Sequence, residues 1–136
     1  MRLRHEVALF AIGGLIGLVV DAGIVQLLVS VLHWNPYYAR IVSFLSAATA
    51  TWWWNRQRTF ASRDSGRSLL SEWGHWMVLM AGGAVVNYAV YVIFLSVFPW
   101  SQRWPALAVA VGSAMAAGVN FGSARLLLFK RTKTGL

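Results

Sequence analysis

Trp52-Trp53-Trp54-Asn55-Arg56-Gln57-Arg58-Thr59-Phe60 closes a long apolar run, and its reading decides how the rest of the chain is understood. Indoles in such a row belong at a membrane–water boundary, with the ring bodies in lipid and the N–H groups toward the headgroups. Guanidiniums just beyond them mark the cytoplasmic side, and each can grip a phosphate with a planar fork. A weaker copy of the pattern closes the chain as Asn120-Phe121-Gly122-Ser123-Ala124-Arg125-Leu126-Leu127-Leu128-Phe129. Setting Arg56 on Arg125 brings Trp52 onto Phe121 and Phe60 onto Phe129. The chain reads as one hairpin written twice.

Composition agrees with a bilayer. Hydrophobic residues make up 58% of the 136 and charged residues only 12%, with a mean hydropathy of +0.58. A soluble domain carries about 25% charged residues. The net charge is +8, but the basic residues fill the gaps between apolar runs instead of lining one face of a helix. That pattern belongs to membrane topology, and nucleic acid is not expected as a partner. Without cysteine the chain has no disulfide, thiol catalyst or cysteine metal site. Met1-Arg2-Leu3-Arg4-His5-Glu6 looks like the start of a signal peptide. The apolar run behind it is too long for one and lacks a convincing cleavage site, so a retained first helix is expected.

The expected architecture is an all-α membrane protein, a single domain over residues 1–136 with transmembrane helices near 7–32, 37–55, 73–98 and 105–129. In the first, Gly13 and Gly17 form a small-residue pair that admits a close neighbour, and Asp21 interrupts the run. Arg40 lies in the first turn of the second, close enough to the outer surface to snorkel there. Ser43 through Thr51 is small and hydroxyl-rich, which suits helix packing. Gly82, Gly83, Asn87, Tyr88 and Tyr91 form a polar, small stripe in the third helix, and the fourth carries Gly118, Asn120 and Gly122. Two short aromatic turns, 33–38 and 99–105, contain or adjoin all three prolines.

Ten of the twelve Lys and Arg residues lie in the amino terminus, the loop from Asn55 to Ser71 and the carboxyl terminus; Arg40 and Arg103 are the other two. The positive-inside bias therefore places both termini in the cytoplasm. Gly17-Leu18-Val19-Val20-Asp21 also matches Gly83-Ala84-Val85-Val86-Asn87, in a register three residues different from that of the arginine motif. An insertion in the second outer turn absorbs the difference. Because each half is a hairpin, the two tandem hairpins form a parallel internal repeat about an axis along the membrane normal.

The residues read as substrate-binding are Asp21, Asn55, Arg56, Arg58, Asn87, Tyr88, Asn120 and Arg125. A carboxylate at a helix centre costs about 2.5–3.5 kcal/mol on insertion scales, so Asp21 must face protein or water. It is either a titrating site or a helix contact bonded to Asn87, Tyr88 or serine hydroxyls. Arg56, Arg58 and Arg125 are either topology signals or a phosphate-binding set assisted by Asn55 and Asn120. Trp52 to Trp54, Trp73 and Trp76 are read mainly as interfacial anchors, with stacking on a sugar ring or an isoprenoid chain as the alternative. His5, His33 and His75 have no metal-ligand spacing, and no nucleophile–base set, phosphate loop or carboxylate pair is present. No catalytic residue, metal or cofactor is expected, and the protein is not read as an enzyme.

These residues resemble the GtrA-like family of small four-helix membrane proteins. The likeness rests on the Gly-rich first helix reaching Asp21, on Asn55-Arg56-x-x-Thr59-Phe60, and on Asn120-Phe121-x-x-x-Arg125-x-x-x-Phe129. Ala124 departs from it, standing where the second copy often has asparagine. The resemblance implies translocation of a polyprenyl-phosphate-linked sugar from the cytoplasmic to the outer leaflet of the inner (plasma) membrane, for cell-envelope glycosylation. Membrane lipids, a membrane glycosyltransferase and a second copy in a homodimer are the other partners considered. Two alternatives stand beside it: a small multidrug-type proton-coupled exporter using Asp21, and a non-transporting partner of a glycosyltransferase.

Overall fold

The computed structural model describes residues 2–103 and 105–133 and is almost entirely helical. Helices α1 (Leu3–Ser30) and α2 (Pro36–Trp54) form a first hairpin, and α3 (Leu69–Val97) and α4 (Pro105–Ser123) form a second. A 3-10 turn, Pro99–Arg103, joins α3 to α4, and Trp104, expected in that aromatic turn, lies outside the described residues. The helical segments differ from the expected spans chiefly at the start, since α1 begins at Leu3 and α3 at Leu69. Glu6 and Glu72 are thereby drawn into the first turns of these helices. Ser68 caps α3 by accepting a bond from the Ser71 N–H, 3.3 Å.

Neither α2 nor α4 stops where its α-helical bonding ends. Each continues as one π-helical turn, Asn55–Thr59 and Ala124–Leu128, closed by a phenylalanine. Phe60 N–H reaches Asn55 O at 2.8 Å, and Phe129 N–H reaches Ala124 O at 2.7 Å. The wider turn is a local cost that commonly marks a functional or packing constraint. It occurs at the same place in both halves of the repeat, where the arginine motif aligns. One departure from an all-helical chain follows: strands β1 (Arg63–Asp64) and β2 (Arg131–Thr132) pair antiparallel. They tie the loop after α2 to the tail after α4. Gly66, at φ +71°, turns that loop, and the Arg131 guanidinium occupies the space a Cβ there would need.

Glycine sets the spacing within each hairpin. A Cβ on Gly13 would meet Trp54 Cδ1 at 2.8 Å, and one on Gly17 would meet Thr51 Cγ2 at 2.6 Å. In the second hairpin a Cβ on Gly83 would collide with the Asn120 side chain, and one on Gly112 would lie 2.7 Å from Asn87 O. Gly118 and Gly122 have no neighbour within 4 Å of that position, so this pair does not serve packing within the chain.

The buried core is small and lies at the end of the bundle that carries the termini. Trp52, Phe60, Trp76, Ala124, Leu128 and Phe129 form it, with Phe10 and Phe121 packed against it. Phe60 and Phe129 stack at its centre, with ring centroids 4.9 Å apart and planes 14° apart. Elsewhere the long helices turn large apolar side chains outward. Val19 is 72% exposed, Val78 71% and Val85 69%. Soluble monomers rarely expose contiguous apolar patches beyond a few hundred Å². Both α1 and α3 are long and apolar enough to cross a bilayer, and lipid is the solvent such surfaces require.

Candidate functional site

Two carboxylates at the terminal end organise the arginines. Glu72, 1% exposed, accepts bonds from the Trp52 indole at 3.0 Å, the Ser65 hydroxyl at 2.7 Å and the Arg56 guanidinium at 3.2 Å. Glu6, equally buried, accepts from Arg125 Nε at 2.9 Å. Arg63 Nε stands 3.5 Å from its other oxygen, near enough for attraction but not aligned as a hydrogen bond. Arg56, from the first half, thus pairs with an acid of the second, and Arg125 does the reverse. The exchange locks the two hairpins together. Glu6 and Glu72 occupy equivalent places in the register that sets Gly17–Asp21 on Gly83–Asn87, as do Phe10 and Trp76. That register holds the signal for both acids, whereas Asp21 stands out in the sequence as the acid inside an apolar run.

The structure therefore does not gather Arg56, Arg58 and Arg125 around one pocket. Two of them neutralise buried glutamates. Arg58 forms no ion pair among the described residues and lines a recess of about 530 Å³ with Trp53, Trp54 and Gln57. The Trp54 indole is anchored by donating to Leu9 O at 2.9 Å. Trp53 is exposed, so this recess opens on the side of the bundle. The place equivalent to Arg58 in the other half is Leu127, which lines an apolar groove of about 430 Å³ with Ser71, Gly74, His75, Val78, Leu79 and Leu128.

Asp21 has a partner that the sequence reading did not give it. Arg40 Nη1 lies 2.8 Å from its Oδ1, joining the two helices of the first hairpin. Arg40 thus reaches inward to an acid instead of only snorkelling outward, and the expected bonds of Asp21 to Asn87, Tyr88 or serine do not form. Tyr88 is 72% exposed and lies away from the polar cavities.

Asp21, Asn87 and Asn120 do come together. They line a cleft of about 420 Å³ between the hairpins, with Thr51, Gly17 and Gly83 on its walls. A smaller space of about 280 Å³ shares Thr51, Asn87 and Asn120, and Asn55, Ser113, Phe10 and Trp76 also line it. Asn55 also braces its own turn, giving an Nδ2–H to Thr51 O at 2.8 Å and accepting from Thr59. The second π-turn forms with Ala124 at the matching position, so an amide is not what makes the turn. Among the described residues, no three His, Asp or Glu side chains gather as a metal-binding group.

Apolar faces that need lipid, an arginine-rich end and an amide-lined cleft between two hairpins define a small helical membrane protein. The family described as "GtrA/DPMS, transmembrane domain" matches residues 9–129, and the chain belongs to that family. No curated protein matches it.

Proposed function

We propose that this protein moves a polyprenyl-phosphate-linked sugar from the cytoplasmic to the outer leaflet of the inner (plasma) membrane, supplying cell-envelope glycosylation. The observation that supports this most is the cleft between the hairpins, with Asp21, Asn87, Asn120 and Thr51 on its walls. Leaving sugar hydroxyls unpaired in an apolar medium costs several kcal/mol each. A wall of amides and hydroxyls lowers that cost while the isoprenoid chain stays in lipid. The groove beside Val78 and Leu127 suits such a chain, and the Arg58 recess suits the phosphate, since its guanidinium is not taken up by an acid. The membrane potential favours outward movement of the anion by about 2.3 kcal/mol per charge per 100 mV. The reading is of a carrier, not an enzyme.

In proteoliposomes, a labelled polyprenyl-phosphate hexose is expected to become accessible to an impermeant reagent only when the protein is present. Arg58→Lys keeps the charge and loses the fork. It should weaken binding of that lipid by about tenfold, within the usual worth of a charge-assisted bond. Unchanged binding would return Arg58 to a topology signal. The exporter alternative is weakened because Asp21 is already paired with Arg40 and offers no free charge to a cation. If the protein left the lipid in place but raised the activity of a membrane glycosyltransferase, the partner reading would replace ours.

The four-span topology with cytoplasmic termini rests on the distribution of Lys and Arg. Arg67 and Trp100 are exposed at opposite ends of α3. Single cysteines placed there should react with an impermeant maleimide from opposite sides of the membrane. Reaction from one side only would end this topology.

A further inference from the structure

Among the described residues, contacts between the hairpins gather at the terminal end. Glu72 holds Trp52, Ser65 and Arg56 there, and Glu6 holds Arg125. The Trp73 indole donates to Thr49 Oγ1 at 2.9 Å. Phe10 meets Phe121 with ring centroids 5.4 Å apart, and Phe60 stacks on Phe129. The β1–β2 pair and a 2.8 Å bond from Lys133 N–H to Ser62 O tie the loop to the tail. Beyond this clasp each hairpin is held by contacts of its own. Asp21 with Arg40 joins α1 to α2, and Gly112 lets α4 lie against the Asn87 carbonyl of α3. Parting the clasp would strand two carboxylates that are each 1% exposed, and a buried charge without its partner is costly. The clasp therefore stays shut when the hairpins move relative to each other.

The cleft starts where the clasp stops. Phe10, Trp52, Trp76 and Phe121, one from each helix, pack in or against the terminal core. Within about one turn of each, Gly14, Thr51, Met80 and Asn120 line the cleft. From there its walls run away from the termini, reaching Asp21 on α1 and Asn87 on α3. We infer that the terminal clasp is a hinge: the hairpins swing about it as two stiff levers, so that the cleft widens and narrows while the clasp holds. Lever length sets the amplitude. Asn87 lies about 16 Å along α3 from Trp76, and Val97 about 32 Å, at a rise of about 1.5 Å per residue. A rotation of about 10° moves Asn87 by roughly 3 Å and Val97 by roughly 6 Å. The motion itself does not depend on the transport reading above; only the ligand that drives it does.

The chain has no cysteine, so pairs of cysteines for spin labels can be introduced without removing any. In the register that sets Gly17 on Gly83, Leu3 matches Leu69 and Val31 matches Val97. All four are exposed and lie near the two ends of α1 and α3. Pulsed electron spin resonance on the full-length protein in nanodiscs reads each distance distribution. The Val31–Val97 distribution should be about twice as broad as that of Leu3–Leu69, or more. Val31 with exposed Ile41, a pair inside the first hairpin, should be as narrow as Leu3–Leu69. Adding a polyprenyl-phosphate hexose should shift the Val31–Val97 mean by roughly 6 Å and leave the other two in place. Leu32 with Phe98, the next matched and exposed positions, serves if the Val31–Val97 variant does not accumulate. Equal breadth in Val31–Val97 and Leu3–Leu69 would overturn the hinge. So would a broad Val31–Ile41 distribution, which would mean that the helix ends fray singly. A broad Val31–Val97 distribution that does not respond to the lipid would support the hinge and count against the transport reading.

Discussion

Glu72→Ala is expected to lower stability by about 3–5 kcal/mol, the range for removing one partner of a buried ion pair. The carboxylate is the common acceptor for the Trp52 indole, the Ser65 hydroxyl and Arg56, so its loss strands three donors around one cavity. The side chain is 1% exposed, and water cannot readily take its place. Glu72→Gln retains an acceptor and should fall between alanine and the native protein. Glu6→Ala should behave similarly, because Arg125 and Arg63 converge on it. Asp64 is an exposed acid in the same loop region, and Asp64→Ala should stay near 0.5 kcal/mol. Unfolding in one detergent, followed by loss of a monodisperse peak on heating, ranks the four. Equal stability of Glu72→Ala and Asp64→Ala would show that the hairpins are not held by the crossed ion pairs.

Gly112→Ala is expected to cost about 1–3 kcal/mol, the usual range for overpacking. Its new methyl would sit 2.7 Å from Asn87 O, and a backbone carbonyl within α3 cannot swing aside as a flexible side chain can. Relief requires α3 and α4 to separate, which would also widen the polar cleft beside Asn87. Gly118→Ala meets no atom within 4 Å and should be neutral, or slightly stabilising from helix propensity. The same heating assay compares them. A Gly118→Ala variant as unstable as Gly112→Ala would mean that a second copy seats on the Gly118–Gly122 face, and the homodimer would then be the unit to study.

Much of the architecture was legible in the chain. Apolar runs broken by prolines gave the helices and their order, because a backbone in lipid must satisfy its own hydrogen bonds. The two matched arginine motifs were legible as well, and more features coincide at them than the motifs announced. Arg56 and Arg125 align, and so do the two π-turns, the stacked Phe60 and Phe129, and the paired acids Glu6 and Glu72. The Gly13 and Gly17 packing face was also readable from its spacing, whereas the same spacing at Gly118 and Gly122 meets no neighbour within the chain.

The roles of the charged residues were decided by tertiary structure. A guanidinium looks the same in sequence whether it awaits a phosphate or neutralises a glutamate contributed by the other hairpin. Only the fold shows Arg56 and Arg125 given to Glu72 and Glu6, and Arg58 left facing the Trp53–Trp54 recess. Asp21 likewise could not reveal that its partner is Arg40, because the pairing depends on how α1 and α2 lie against one another. Tyr88 follows Asn87 in sequence but points elsewhere: neighbours on a helix are turned by about 100°, so one faces the cleft and the other the lipid. By itself the sequence determined an apolar, helical chain with its basic residues confined to the gaps between and beyond the apolar runs. Which polar atoms meet in the cleft, and which are already spent on holding the hairpins together, was set by the contact between the halves, where residues far apart in the chain exchange charge.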